Sequence, residues 1–197
     1  TYGNPIMTPV QEVDPTEPIS PYGQSKLMID WMLKSYQRAY GIDFVSFRYF
    51  NACGADSQAR HGQEPGATHI IARVLESVKN KQDFTLYGNN YETPDGTCIR
   101  DYIHVEDLAA AHIMALNRQI PSDIYNLGNN VGHSNLEVIN RAAQITQTDI
   151  RILFGSRREG DPAILTADAG KFSSISKWAP RYNLDDIITH AWAWYNR

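Results

Sequence analysis

The sequence predicts an α/β fold. Helical and extended patterns alternate along the chain, and proline and glycine mark the joints between them, which is typical of α/β architecture and not of repeats or low-complexity sequence. With 197 residues, of which 42% are hydrophobic and 20% charged, the chain is long enough to bury a substantial core. We therefore expect a globular protein.

The first predicted helix covers residues 20–40. Ser20 is a suitable N-cap, Pro21 suits the first turn, and Gly41 suits the stop. Side chains along one face recur at helical spacing: Tyr22, Lys26, Ile29, Leu33, Tyr36 and Tyr40. This face therefore begins with two chemical groups, a phenol and an ammonium.

A strand is predicted at 42–50, where β-branched and aromatic residues are frequent, and a loop at 51–54, the end of a strand where ligands collect in open α/β sheets. The later patterns predict, in order, a helix at about 67–80, a strand at 84–87, a helix at 105–117, a strand at 124–127, a helix opened by Ser134 with Glu137 three residues later, a strand at 149–154 and a helix at 184–195. The Gly-, Asn- and Pro-rich residues 88–96 are a candidate pocket rim. The tryptophans of the last helix fit core positions better than ligand stacking.

Charge and composition exclude several classes of function. The net charge of -4 and the pI near 5.8 argue against nucleic acid as a partner, although a local basic pocket for one diphosphate stays compatible with them. Cys53 and Cys98 have no metal-like spacing with each other or with a histidine, so we expect free thiols and no metal. No apolar run approaches the roughly 20 residues of a membrane span, and residues 1–5 lack a targeting pattern. We expect a cytoplasmic protein.

The most informative local pattern is the Tyr22/Lys26 pair. Four residues apart on a helix, the two side chains lie one above the other. An ammonium beside a phenol favours the phenolate, so Tyr22 is a candidate base for a hydroxyl proton. Taken alone, the pair fits equally well a solvated lysine beside a packed ring, and that interpretation is the commoner one.

An ordered set of motifs decides between these interpretations. Tyr2-Gly3, the Tyr22/Lys26 helix and the strand end RYFN at 48–51 follow one another as in the extended short-chain dehydrogenase/reductase family, which the chain resembles. Four blocks are similar to the UDP-glucose 4-epimerases of that family: RYFNACGAD at 48–56, LYGN at 86–89, DGTCIRDYIHV at 95–105 and REGDP at 158–162. The resemblance covers essentially the whole chain, and the block at 95–105 is the most specific.

The resemblance implies a fold, an activity and a cofactor. The fold is part of a Rossmann-type doubly wound sheet, its N-terminal portion missing, with a smaller mixed α/β substrate-binding region. Residues 1–60 would be the end of the NAD-binding domain, and residues 61–197 mainly a UDP-sugar-binding region, with about 100–130 returning to the sheet. The activity is interconversion of UDP-glucose and UDP-galactose, in galactose metabolism, through a 4-keto intermediate with bound NAD. A homodimer would form through 20–40.

The resemblance also implies roles for single residues. Tyr22 is the base and Lys26 its partner, and both contact the cofactor together with Tyr49 and Phe50. The residues implied for the UDP-sugar are Asn51, His69 and Ile70 beside the sugar nucleotide, Thr85 and Tyr87 at the uracil, Arg100 and Arg158 at the diphosphate, Asp161 at the ribose and Leu165 beside the sugar. Without the family blocks, Arg158 would be a surface residue and Arg100 a salt-bridge partner of Asp101.

Some features depart from the family pattern and leave alternatives open. His69 and Ala72 stand where an Asn and a Pro are frequent. No G-x-G-x-x-G triplet occurs in the chain, which starts at Thr1 without an initiator Met, so we expect a missing front portion and no activity for these residues alone. The alternatives are an epimerase of UDP-pentoses, UDP-uronates or UDP-N-acetylhexosamines, a dehydratase at lower rank, and a non-catalytic UDP-sugar-binding remnant without the cofactor domain.

Overall fold

The computed structural model describes residues 1–117, 120–158 and 160–197. Within them, six helices form: α1 Pro21–Tyr40, α2 Ile70–Asn80, α3 Val105–Leu116, α4 Asn135–Thr146, α5 Gly170–Ser176 and α6 Leu184–Tyr195. Eight strands accompany them: β1 Val45–Tyr49, β2 Asn51–Cys53, β3 Phe84–Tyr87, β4 Ile99–His104, β5 Asp123–Leu127, β6 Gly132–Ser134, β7 Ile152–Gly155 and β8 Ile164–Leu165. The predicted alternation of helices and strands is confirmed.

Two parallel strand pairs, β1–β5 and β2–β4, meet at the end of β1. β1 pairs with β5 in parallel, with Tyr49 opposite Leu127. At Phe50 the chain bends, and β2 pairs in parallel with β4 instead. The predicted loop at 51–54 is therefore wrong for residues 51–53, because hydrogen bonds to the partner strand, whose paired residues lie 51 positions later in the sequence, make them a strand. β4 also pairs with β6 in antiparallel and with β8 in parallel. The separate pair β3–β7 is parallel.

Two hydrophobic clusters hold these layers together. The first joins α2, α4 and α6 over β3, with Leu75, Val138 and Ile187 essentially inaccessible to solvent. The second lies between β1, β5, α3 and α5, with Phe172 at its centre and the ring of Phe47 edge-on to it at 5.0 Å. As predicted, the tryptophans of α6 pack against the first cluster.

Helix α1 has the predicted caps. The Ser20 hydroxyl accepts the Gly23 N–H at 3.1 Å, and Gly41 ends the helix in the left-handed region at φ 66°. The side chains that α1 buries are Leu27 and Asp30, whereas the predicted face is largely exposed. The chemical face of α1 is thus turned away from the described part of the fold.

A buried ion pair joins α1 to β1. The Asp30 carboxylate accepts hydrogen bonds from the Ser46 hydroxyl at 2.6 Å and from Arg48 Nε at 3.0 Å, and Arg48 Nη2 lies 2.9 Å from it. The side chains of Asp30 and Arg48 are only 5% and 10% exposed. The helix that carries Tyr22 is therefore tied to the strand that ends at Tyr49.

Among the described residues, no helix is long and apolar enough to cross a membrane.

Candidate active site

The predicted catalytic pair forms at the start of α1. Lys26 Nζ lies 5.2 Å from the centre of the Tyr22 ring, as the spacing of four residues requires. The Tyr22 side chain is 72% exposed, and Lys26 is exposed as well. Both groups are accordingly open to a reactant that approaches from outside the described residues.

The end of β1 presents a different arrangement. The Tyr49 hydroxyl and His112 Nε2 are 2.6 Å apart, and His112 Nδ1 lies 2.7 Å from the Leu108 carbonyl. A carbonyl only accepts, so His112 Nδ1 carries the proton and Nε2 accepts from Tyr49. Burial raises the pKa of Tyr49. Because His112 lies on α3, the Tyr49 hydroxyl joins the end of β1 to that helix. The Phe50 N–H donates to the Leu127 carbonyl at 3.1 Å.

Most of the predicted substrate residues line one pocket. This pocket, called the nucleotide pocket after the role expected of its residues, has a volume of about 180 Å³ and lies between β3, the start of α2, β4, Arg158 and Asp161. Eight of the nine residues that the resemblance implies for the UDP-sugar are in its lining: Asn51, His69, Ile70, Thr85, Tyr87, Arg100, Arg158 and Asp161. The ninth, Leu165, lies opposite Arg100 in the β4–β8 pairing and outside the described lining.

Arginines give the nucleotide pocket its character. The Arg158 guanidinium lies over the Tyr87 ring at 4.4 Å. Arg100 is 11% exposed, and its Nη2 lies 3.9 Å from the Asp161 carboxylate. Arg73, which the sequence analysis missed, lies between the rings of Phe84 and Tyr87 and donates to the Thr85 carbonyl at 3.3 Å. Its position four residues after His69 on a helix was the available signal.

The expectation that Arg100 pairs with Asp101 if it has no ligand is wrong. Successive side chains of a strand point to opposite faces, so the two residues cannot share a site. Asp101 is fully buried and accepts the backbone N–H groups of Asn129, Asn130 and Ala167 at 2.6, 3.1 and 3.1 Å. Burial raises its pKa in spite of these hydrogen bonds. Asp101 thus fixes the loop after β5 while Arg100 faces the pocket.

A larger cavity of about 520 Å³ adjoins the nucleotide pocket. Asn51, His69, Ile70 and Tyr102 line both, and the larger one continues along β2 to residues 61–64 and the start of α3. Its wall includes the Cys53 thiol, whose pKa burial raises well above its usual range. Cys53 is therefore protonated and unreactive at neutral pH.

Two histidines of the described chain, His104 and His190, contact each other. His104 Nδ1 accepts the Glu106 N–H at 3.0 Å and so caps α3, which leaves the proton on Nε2, 3.0 Å from His190 Nδ1. His104 is fully buried and lies against the Tyr182 ring at 4.2 Å. Among residues 1–117, 120–158 and 160–197, no group of three or more His, Cys, Asp or Glu side chains is placed to hold a metal ion.

Comparison with known proteins identifies the family of the chain. The profile of a family described as "NAD dependent epimerase/dehydratase family" matches residues 1–128. This chain belongs to that family. Members of this family depend on NAD, which confirms the expected cofactor. The family assignment also confirms the predicted fold class, a partial Rossmann-type α/β sheet with a mixed substrate-binding region.

Individual relatives agree along the whole chain. The UDP-glucose 4-epimerase of Halalkalibacterium halodurans is 44% identical over 99% of this chain and 60% of its own length. The UDP-glucose-4-epimerase of Stenotrophomonas maltophila, solved with NAD and formylated UDP-arabinopyranose, superposes with a TM-score of 0.93 at 34% identity. That of Bifidobacterium longum, solved with NAD+ and UDP, superposes at 0.91 and 33% identity. In both superpositions 99% of this chain and 60% of the other are covered. The chain spans about 60% of the length of the curated relatives it matches.

Proposed function

We propose that this chain carries the proton-transfer pair and the UDP-sugar pocket of a NAD-dependent nucleotide-sugar 4-epimerase that interconverts UDP-glucose and UDP-galactose. The observation that carries the proposal is the nucleotide pocket, where eight residues that the family resemblance implies for the UDP-sugar come together from separate parts of the sequence. The 44% identity with a UDP-glucose 4-epimerase supports the same reaction.

The pocket supplies what a UDP group needs. Arg100 and Arg158 come from different segments, and their guanidinium groups match the oxygens of a diphosphate from two sides. Asp161 is 44% exposed and able to accept hydrogen bonds from ribose hydroxyls. Thr85 and Tyr87 line the same pocket from β3, where the uracil would lie. The three arginines of the lining, Arg73, Arg100 and Arg158, are compatible with the acidic net charge of the whole chain.

Tyr22 and Lys26 supply the proton chemistry. Tyr22 is the group that exchanges a proton with the sugar 4-hydroxyl, and the Lys26 ammonium, 5.2 Å from the centre of the Tyr22 ring, is its charged neighbour. NAD, when bound, would supply hydride transfer at C4 of the sugar. Lys26 is exposed and so free to contact the nicotinamide ribose, whereas Tyr49, with its hydroxyl on His112, contributes its ring.

The residues present fit only one end of this cofactor. Tyr22, Lys26, Tyr49 and Phe50 would contact the nicotinamide end, but residues 1–197 contain no glycine triplet for the pyrophosphate. We therefore propose that residues 1–197 alone bind the UDP-sugar but neither hold NAD nor turn over substrate. The division into a cofactor part at 1–60 and a UDP-sugar part at 61–197, the homodimer through α1 and the cytoplasmic location remain proposals of the same kind.

Titration of UDP into the protein tests the pocket. Arg100→Ala and Arg158→Ala should each weaken UDP binding about tenfold or more, because each removes charge-assisted hydrogen bonds worth roughly 1.5–3 kcal/mol. Arg151→Ala is the matched control, since Arg151 is 77% exposed and pairs with Asp83 outside the pocket. Equal UDP affinity in all three variants and the parent would overturn the assignment of the pocket.

Conversion of UDP-galactose to UDP-glucose tests the reaction. It is measured on residues 1–197 and on a longer form that includes a dinucleotide-binding segment, each with Tyr22→Phe and with Tyr36→Phe as a control phenol on the same helix. We expect turnover only in the longer form, abolished by Tyr22→Phe alone. Turnover of UDP-pentoses instead would favour the pentose epimerase, in line with the UDP-arabinopyranose derivative bound by the Stenotrophomonas enzyme. UDP binding without turnover in any form would favour the non-catalytic remnant.

A further inference from the structure

Arg73, on α2, is a cation of the nucleotide pocket to which the proposed function gives no role. Its side chain lines the pocket and is half-buried. In the described part of the chain it pairs with no carboxylate. Burying a charged group is unfavourable unless it finds a partner. A guanidinium in this situation, inside a ligand pocket, points to an acceptor that the ligand brings.

The Arg73 guanidinium lies at the open edge of β3. The Phe84 and Gly88 N–H groups donate to carbonyls on the β7 side, at 2.9 and 3.0 Å. The peptide groups of a strand alternate between its two edges, so the backbone groups of Thr85 and Tyr87 face the other edge. Among the described strands, none but β7 pairs with β3. Arg73 Nη2 donates to the Thr85 carbonyl, on the open edge, at 3.3 Å.

Two rings and this carbonyl fix the orientation of the guanidinium. Its central carbon lies 5.1 Å from the centre of the Phe84 ring and 5.6 Å from the centre of the Tyr87 ring. The Thr85 carbonyl occupies one of the five N–H donors. A guanidinium has no acceptor atom, so its other N–H groups can pair only with atoms that accept. The Arg73 side chain is therefore a fixed group of donors at the edge of β3.

The base of a uridine nucleotide offers such an acceptor. In the proposed function the uracil lies at Thr85 and Tyr87, whose backbone groups share the open edge with Arg73. Uracil carries a carbonyl oxygen at C4, which accepts hydrogen bonds. Cytosine carries an amino group at the same position, and that group donates. A fixed group of donors would pair with the uracil oxygen and oppose the cytosine amine.

We propose that Arg73 is a specificity-determining residue that donates to the C4 carbonyl of uracil and so selects uridine over cytidine nucleotides. Selection then comes both from a hydrogen bond gained with uracil and from two opposed donors with cytosine. The place of Arg73 on the strand edge favours the base over the phosphates, for which Arg100 and Arg158 are available in the same pocket. This inference rests on the proposed function of the pocket.

Titration of UDP and of CDP into the parent and into two variants tests the inference. Arg73→Met keeps an aliphatic side chain over Phe84 but has no donor. We expect the parent to prefer UDP, and Arg73→Met to reduce this preference on the order of tenfold, as for a lost hydrogen bond from a charged donor. Arg73→Gln should reduce it as well and bind CDP at least as tightly as the parent, because its amide oxygen can accept from the cytosine amine. Retained CDP affinity also shows that the variant is folded.

Two other arginines serve as controls. Arg158→Ala should weaken UDP and CDP binding by the same factor, because the diphosphate is identical in both ligands. Arg151→Met should leave both affinities at the parental values, since Arg151 is 77% exposed and pairs with Asp83 outside the pocket.

The ratio of UDP to CDP affinity decides the outcome. A parental ratio in either Arg73 variant, which includes an equal loss of both affinities through the phosphates, would overturn this inference and leave the proposed function intact. A parent that binds UDP and CDP equally would do the same. A parent that binds no UDP would overturn the proposed function and this inference with it.

Discussion

The buried Asp30–Arg48 pair predicts a large loss of stability for Asp30→Ala. Asp30 is the acceptor for the Ser46 hydroxyl and for two nitrogens of Arg48, and Arg48 Nη1 already lacks a partner among the described residues. Removing the carboxylate leaves a buried guanidinium without its counter-charge. Breaking a pair of this kind typically costs about 3–5 kcal/mol of the free energy of unfolding.

Urea denaturation of three variants measures this loss. Asp185→Ala is the control, because the Arg141–Asp185 pair has the same chemistry but is nearly half exposed, and exposed pairs contribute roughly 0–1 kcal/mol. The double variant Asp30→Leu/Arg48→Met should recover most of the loss, since it leaves no unpaired charge. If Asp30→Ala unfolds at the same urea concentration as Asp185→Ala, the argument from burial is wrong.

Three further predictions concern other contacts. Burial, and then the charge of His190, lower the pKa of His104, so His104 binds a proton more readily in the unfolded chain than in the folded one. The free energy of unfolding is therefore highest above the unfolded pKa of about 6.5. It decreases as the pH falls below that value, by up to about 1.4 kcal/mol per pH unit. Urea midpoints at pH 7.5 and 5.5 should show a smaller difference for His104→Gln than for the parent, and equal differences would contradict the assignment. Gly62→Ala should destabilise the protein by about 1–3 kcal/mol, because the new Cβ would lie 2.4 Å from Trp194 Cγ. Displacement of the Trp194 ring should also shift the tryptophan fluorescence to longer wavelength. An unchanged urea midpoint would show that the loop around Gly62 moves without cost. Phe172→Ala, at a fully buried position, should cost about 3–5 kcal/mol in the same assay, and a loss below that of Gly62→Ala would refute its central place in the second cluster.

The elements that the sequence predicted well carry their own signals. Ser20 and Gly41 end α1 where expected, and the Ser134 hydroxyl accepts the Glu137 N–H at the start of α4. Such caps are local, so a single sequence reveals them. The strand at 84–87 was placed correctly for the same reason, since it is short, apolar and bounded by turn residues.

The features that were missed depend on distant partners. The short strands β2, β6 and β8 exist because β4 offers them hydrogen bonds. The composition of β2 and β6 is closer to that of loops, and β8, with only two residues, is too short to show a pattern. The contact between His104 and His190 joins residues 86 positions apart, which no spacing rule reveals. The pocket residues were found through the family resemblance, which implied no role for Arg73, and that residue was overlooked.

Strand β4 performs two tasks on opposite faces. Arg100 and Tyr102 line the nucleotide pocket. On the other face, Asp101 anchors the loop after β5 and Ile103 belongs to the second cluster. A strand alternates its faces with a period of two, so inserting or deleting one residue would place the carboxylate in the pocket and the guanidinium in the interior. The length of this strand is therefore under tighter constraint than its composition. Changes of substrate preference can arise in this region by substitution, whereas insertions and deletions must be confined to the loops at its ends.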